Sequence, residues 1–256
     1  MMKYELFDLT DKIGIVTGSG RGLGKTIAIG LSECGAKVVT CSRNVTEAEA
    51  TAKEIRDQGG EAFAIRVDTS VRADCQALID ETIRRYGKLD ILVCNAGISA
   101  YTAVEDVEEE EWNKIMEINL KGYFNCAQLA ARQMMKQGTR GSIVMNSSNN
   151  SLVGYPGLFT YSVSKGGVDQ MVRSMALEWG NRGIRVNAIN PGWMETSMSG
   201  VTRDPEKERE IKKLTPMGRR GFARELIGPV VFLASERASD ITGQVLSVNG
   251  GLYMRD

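Results

Sequence analysis

Thr17-Gly18-Ser19-Gly20-Arg21-Gly22-Leu23-Gly24 lies between an apolar run at residues 13–17 and a helical pattern at residues 23–34 that Gly35 closes. A glycine-rich stretch that follows a strand and opens a helix is the context in which such a stretch binds phosphate. Glycine lets the backbone turn tightly and approach a pyrophosphate closely. The helix N-terminus adds free N–H groups and a dipole that favours anions. The stretch predicts a dinucleotide site built on Gly18, Ser19, Arg21, Gly22, Leu23 and Gly24.

Outward from that turn the same alternation repeats. Short β-branched runs predict strands at 37–41, 62–67, 90–94, 142–146, 185–189 and 244–248. Helical patterns fall between them at 47–58, 72–86, 109–136, 159–179 and 223–234. Gly59-Gly60, Gly87 and Gly180 punctuate the helix ends. This order predicts an α/β fold, a doubly wound seven-stranded parallel sheet in a Rossmann-type three-layer sandwich. Right-handed crossovers are expected throughout. No linker or composition break interrupts the pattern, so residues 1–256 read as one dinucleotide-binding and catalytic domain. Residues 192–221 leave the alternation and carry a charged run at 203–210. They read as a solvated excursion or as a lid over the substrate.

Hydrophobic residues make up 42% of the 256, enough for a substantial core. Lys+Arg and Asp+Glu both total 32, so the charge balance points to no nucleic acid and no membrane, and a small-molecule substrate is expected. The chain has no histidine, which excludes Ser-His-Asp and Cys-His mechanisms and His-ligated metals within it. No metal site is expected. Cys34, Cys41, Cys75, Cys94 and Cys126 make no C-x-x-C pair and read as buried thiols of a reducing compartment. The first twelve residues are polar, and no apolar run approaches the roughly 20 residues of a membrane span. A soluble cytoplasmic protein is expected.

Proton chemistry then falls to other groups. Tyr161-Ser162-Val163-Ser164-Lys165 puts a phenol and an ammonium on one helix face, since residues four apart are neighbours there. A free phenol, with a pKa of about 10, is a poor acid or base at neutral pH. A neighbouring cation lowers that value and lets the tyrosine exchange a proton with an alcohol oxygen. Ser148 stands upstream, at the end of the strand at 142–146.

The end of the second strand reads Thr40-Cys41-Ser42-Arg43-Asn44. NAD-preferring folds commonly place an acidic residue there for the ribose 2′-hydroxyl. No carboxylate occupies this stretch, whereas Ser42 and Arg43 suit a 2′-phosphate, with Asn44 beside them and Arg21 as a second cation. NADP(H) is favoured and NAD(H) remains possible.

From Thr17 the turn reads T-G-x-x-x-G-x-G; Asn95-Ala96-Gly97 follows the fourth strand, and Asn119 sits within Ile118-Asn119-Leu120. Ser148, Tyr161 and Lys165 come next, then Pro191-Gly192 and Thr196. In these motifs, and over essentially its whole length, the chain resembles the short-chain dehydrogenase/reductase family. The resemblance implies hydride transfer between a nicotinamide and a carbonyl/alcohol pair. It implies that Tyr161 exchanges the proton, that Lys165 bonds the nicotinamide ribose and lowers the Tyr161 pKa, and that Ser148 bonds the substrate oxygen. Asn119 would hold a water linking Lys165 to solvent. Asp68 would bond the adenine, and Asn95, Ala96, Gly97, Pro191, Gly192 and Thr196 would complete the cofactor pocket.

Substrate contacts are implied at Asn149, Asn150, Tyr155, Trp193 and Met194, with Ser99 and Tyr101 nearby. Their mixture of amides and apolar groups fits a sugar acid or polyol as easily as a small ketone. The C-terminal stretch from Val248 is similar to that of 3-oxoacyl-carrier-protein reductases, but Leu177 stands where those enzymes carry a docking arginine. Leu177-Glu178-Trp179-Gly180 is more similar to gluconate and related sugar dehydrogenases. The resemblance further implies a homotetramer with two-fold axes, pairing the helix at 109–136 and the Tyr161 helix. A dinucleotide sensor without turnover is the competing class, against which the full Asn119, Ser148, Tyr161 and Lys165 set argues.

Overall fold

Strand β1 (Ile13–Thr17) is buried along its whole length, as a parallel strand covered on both faces must be. The structure is a computed structural model that describes residues 7–195 and 205–252. After β1 come α1 (Gly22–Glu33), β2 (Lys37–Ser42), α2 (Val45–Asp57), β3 (Ala62–Arg66), α3 (Arg72–Tyr86) and β4 (Ile91–Cys94). The second half holds α4 (Glu109–Met116), a π-turn (Glu117–Lys121), α5 (Gly122–Gln137), β5 (Gly141–Asn146), α6 (Phe159–Trp179) and β6 (Ile184–Pro191). Then follow β7 (Met194–Glu195), α7 (Pro205–Leu214), β8 (Gly221–Phe222), α8 (Ile227–Ala234) and β9 (Val245–Val248).

The seven-stranded sheet runs β3-β2-β1-β4-β5-β6-β9, and its pairings are parallel. Successive side chains of a strand face opposite sides. Thus Ile15 joins Val39, Leu92 and Ile143 in a core under α3, α5 and α6, while Val16 joins Val38, Val93 and Val144 in a core under α1, α2 and α8. Strand order reverses between β1 and β4, and such a switch opens a crevice at the carboxyl ends of the strands.

Local signals account for several boundaries. The Asn44 side chain caps α2 by accepting from Thr46 N–H at 3.1 Å. Gly87, in the left-handed region, ends α3. Pro205 begins α7, where its missing N–H costs nothing. Two features depart from the sequence expectation. The single helix expected at 109–136 is broken by the π-turn, which inserts without disturbing the apolar pattern on either side. Within the expected lid, β7 pairs with β8 and α7 lies between them in sequence. Among the described residues no helix is long and apolar enough to cross a membrane.

Candidate active site

A cavity of about 1020 Å³ opens at the carboxyl ends of the strands, from the glycine turn to Trp193. At one end it is walled by Gly18, Arg21, Gly22, Leu23 and Gly24, with Ser42, Arg43, Asn44 and Asp68 beyond them. Gly18 has φ +64°, and a Cβ there would fall 2.8 Å from Ala96 Cα. Only glycine lets this turn pack so closely on the Asn95–Gly97 segment. Ser19 behaves differently from its neighbours. Its hydroxyl is fully buried, donates to Val16 O at 2.8 Å and accepts from Cys41 N–H at 2.9 Å. The Ser19 side chain therefore ties β1 to β2 and does not face the cavity.

The Ser42 hydroxyl donates to Asn44 O at 2.5 Å. Asp68 accepts from Ser70 N–H and hydroxyl at 3.0 and 2.7 Å, closing the turn after β3 while lining the cavity. A carboxylate also stands at this end, contrary to the reading of the strand-two terminus. Glu47, on the first turn of α2, lies over Gly20. A Cβ on Gly20 would sit 2.8 Å from Glu47 Cβ and 3.2 Å from both Glu47 Oε2 and Ser42 Oγ. Glu47 joins Arg21 and Arg43 on the wall.

The strand ends are laced together beneath the cavity. Thr17 Oγ1 accepts from the N–H groups of Asn95 and Ala96 at 2.9 and 3.1 Å. Asn95 Nδ2 donates to the carbonyls of Thr17 and Gly18, and its Oδ1 accepts from Asn146 Nδ2 at 2.9 Å. The Asn146 carbonyl in turn accepts from Lys165 Nζ at 2.6 Å and Tyr123 OH at 3.0 Å. The glycine turn and Lys165 are thus joined by hydrogen bonds across β1, β4 and β5.

Tyr161, Lys165 and Ser148 share the central wall. Lys165 Nζ lies 5.7 Å from the Tyr161 ring centroid and 3.3 Å from Tyr123 OH. The sequence pair was expected to lower the Tyr161 pKa through the lysine. Instead burial raises the Tyr161 phenol, and a hydrogen bond with Ser148 works the other way. Lys165 is itself pulled down to about 7, because burial of its ammonium outweighs the opposing attraction of Asp169. An ammonium that loses charge near neutrality has reduced leverage on a phenol.

Asn119 sits at the centre of the π-turn, fully buried. Its Oδ1 accepts from Ile98 N–H at 2.9 Å, while Nδ2 donates to Ile98 O at 2.8 Å and to Ser164 Oγ at 3.2 Å. The side chain fastens the segment after Gly97 to α6.

At the other end stand Asn149, Asn150, Tyr155, Trp193 and Met194, with Ser99 and Tyr101. Pro191 and Gly192 also line the cavity. Tyr155 meets Trp193 edge-to-face at 5.4 Å. Asn149 Oδ1 accepts from Asn249 Nδ2 at 3.1 Å, and Asn150 N–H donates to Ser148 Oγ at 3.2 Å. Thr196 lies outside the described residues. Arg220 lies within the expected lid but was missed in the sequence, because nothing in its spacing singles it out from the other charged residues there. It lines this end, faces Trp193 at 5.8 Å and donates from Nε to Glu208 at 2.7 Å. Tyr123 was likewise missed, since nothing in its local sequence separates it from a core aromatic.

The family described as Enoyl-(Acyl carrier protein) reductase matches residues 18–253. The chain is 39% identical over 244 residues to the 3-oxoacyl-[acyl-carrier-protein] reductase FabG of Staphylococcus aureus (strain Mu50), covering 95% of this chain and 98% of the relative. A gluconate 5-dehydrogenase from Burkholderia cenocepacia J2315, solved in complex with NADP and tartrate, matches with a TM-score of 0.92 and 38% identity over 96% of each chain. A short-chain type dehydrogenase/reductase from Mycobacterium marinum matches with a TM-score of 0.93 and 33% identity, over 98% of this chain and 99% of that one.

Proposed function

The chain belongs to the short-chain dehydrogenase/reductase family, and from that premise we propose that it is an NADP(H)-dependent enzyme that interconverts a ketone and a secondary alcohol on a sugar acid or related polyol. The observation that carries this reading is the meeting of Tyr161, Ser148 and Lys165 on one wall of a cavity whose other end is the glycine turn.

The residues present fit such a cofactor. The turn is held open by Gly18 in a conformation and a packing that a Cβ would not allow. Arg21, Arg43 and Ser42 bring two cations and a hydroxyl to the end where a 2′-phosphate would lie. Bound here, the nicotinamide supplies or accepts the hydride. Tyr161 gives or takes the proton at its phenol oxygen, and Ser148 hydrogen-bonds the substrate oxygen and stabilises negative charge developing there. Lys165 donates to the nicotinamide ribose and lends positive charge to the Tyr161 side of the site. Asn119 holds the Ile98 segment in place. Glu47 opposes a 2′-phosphate in part, which supports NAD(H) as a second, weaker cofactor.

Arg220 supports an acid-bearing substrate, because it adds a guanidinium to the end furnished with Asn149, Asn150 and Trp193. The likeness to a gluconate dehydrogenase solved with tartrate supports the same choice. Reduction of a 3-oxoacyl thioester on a carrier protein is the second reading, favoured by the relative at 39% identity. Leu177, which is 86% exposed on α6, presents an apolar side chain where a docking arginine would serve, and this supports the first reading.

We further infer that residues 1–256 act as one domain, that the segment 192–221 closes over bound substrate, and that the enzyme works as a cytoplasmic homotetramer. Phe124 on α5 and Phe159 and Val163 on α6 are exposed apolar groups that such pairing would cover. The test is a panel of sugar acids, polyols, small ketones and 3-oxoacyl thioesters, run in both directions with both nicotinamides and repeated with Tyr161→Phe. Turnover that survives Tyr161→Phe sinks the mechanism, and binding of cofactor with no turnover on any carbonyl supports a sensor.

A further inference from the structure

Asp169 follows Lys165 by one helical turn on α6 and is only 3% exposed. Its two oxygens accept from two serines: Oδ1 from Ser147 Oγ and Oδ2 from Ser151 Oγ, each at 2.5 Å. These serines flank Ser148 on the segment that leaves β5. The Ser147 hydroxyl also lies 3.3 Å from the Lys165 carbonyl, and Ser151 Oγ accepts from Asn190 Nδ2 of β6 at 3.1 Å. One carboxylate therefore fastens the segment bearing Ser148 to the helix bearing Tyr161 and Lys165, and through Ser151 to β6.

A buried carboxylate is costly to desolvate, and an apolar side chain would fill such a corner at less expense. What the carboxylate adds is direction and charge. The titratable groups that face Lys165 are Tyr161 and Asp169 from α6, Tyr123 from α5 and Cys94 from β4. Burial pushes the Tyr123 phenol and the Cys94 thiol far up, so both are neutral. Asp169 is the carboxylate in this group, and its attraction is the leading influence that keeps the proton on Lys165 against burial.

We propose that Asp169 is a positioning residue of the site, holding Ser148 in register with Tyr161 and serving as the buried counter-charge of Lys165. The proposal rests on the reading of Ser148, Tyr161 and Lys165 as the reacting groups.

Asp169→Asn keeps the shape and removes the charge. With the best substrate of the panel, kcat falls about 10- to 100-fold, the order expected of misplaced reacting groups, while NADPH binding followed by fluorescence stays within about twofold. The alkaline limb of the kcat pH profile moves to lower pH, because Lys165 without its counter-charge releases its proton sooner. Ser151→Ala removes one anchor and keeps the charge, so kcat falls while the alkaline limb stays in place. If Asp169→Asn folds and leaves kcat and the pH profile unchanged, the proposal is overturned. A fall in kcat with an unmoved limb reduces Asp169 to a structural staple and overturns the counter-charge. If Asp169→Asn does not fold, Ser151→Ala decides, and an unchanged kcat there overturns the positioning role. Failure of the underlying reading shows separately, as turnover that persists in Tyr161→Phe.

Discussion

Tyr123 and Lys165 share one acceptor. The phenol hydroxyl and the ammonium both donate to the Asn146 carbonyl, at 3.0 and 2.6 Å, and the ammonium lies 3.3 Å from the hydroxyl as well. Tyr123 comes from α5, Asn146 from β5 and Lys165 from α6, so three elements meet at one oxygen. Tyr123→Phe removes a buried hydrogen bond and one oxygen beside the ammonium. The expected outcome is a loss of about 1 kcal/mol in urea unfolding and a few-fold fall in kcat, with cofactor affinity preserved. An unchanged kcat would show that Lys165 is oriented by Asn146 alone.

Lys165 also makes stability depend on pH. Its folded pKa of about 7 lies below its ordinary value of 10.5, so between these values the unfolded chain binds more protons. Stability from this group therefore rises as pH climbs from about 7 to 10.5, and burial of its charge penalises the fold below that window. Lys165→Met removes the penalty. Relative to the wild type, the variant is expected to gain stability in urea unfolding as pH falls from 10 to 6, by an amount on the order of 1 kcal/mol or more. A gain that grows as pH rises would contradict the assignment.

Arg43 and Glu47 pull cofactor choice in opposite directions. Arg43→Ala is expected to raise KM for NADPH at least tenfold, a loss of about 1.4 kcal/mol, and to leave KM for NADH within about twofold. Glu47→Gln is expected to lower KM for NADPH a few-fold by removing a negative charge near the 2′-phosphate. Titration with adenosine 2′,5′-bisphosphate against AMP checks both variants without turnover. Equal shifts for the two nucleotides would remove both residues from the 2′ position.

Arg220 tests the substrate class. Arg220→Ala is expected to raise KM for sugar acids about tenfold or more, as loss of a charge-assisted hydrogen bond would, and to leave neutral polyols unaffected. The comparison is made at fixed saturating NADP. A uniform rise across acids and polyols would assign Arg220 to holding Glu208 and the segment around α7.

The glycine turn, the strand–helix order and the Tyr161–Lys165 pair were legible because each is local. Glycines, apolar periodicity and a four-residue spacing carry their meaning within a few positions. Tyr123, Asp169 and Arg220 were not, because packing between distant elements gives them their places, and a buried tyrosine or a helical aspartate has no distinguishing neighbourhood in sequence. Glu47 escaped notice for a different reason. It belongs to the helix after Asn44, beyond the strand end where cofactor preference is ordinarily sought, and only the missing Cβ of Gly20 lets it fold back. Asn119 was found by its motif, yet its partners, Ile98 and Ser164, became visible only with the fold.

The π-turn at Glu117–Lys121 has a consequence for how this stretch tolerates change. An α-helix turns about 100° per residue. The π-turn takes up one extra residue in a widened i→i+5 turn, so α4 and α5 keep nearly the faces that a regular helix one residue shorter would give them. Deleting one residue from the turn should therefore leave Tyr123, Cys126, Ala127 and Ala130 facing the core, while Asn119 would lose its hold on Ile98. Substitutions on the exposed face of α4 and α5 should be absorbed readily, whereas loss of a single residue in the turn should spare the core and cost the site.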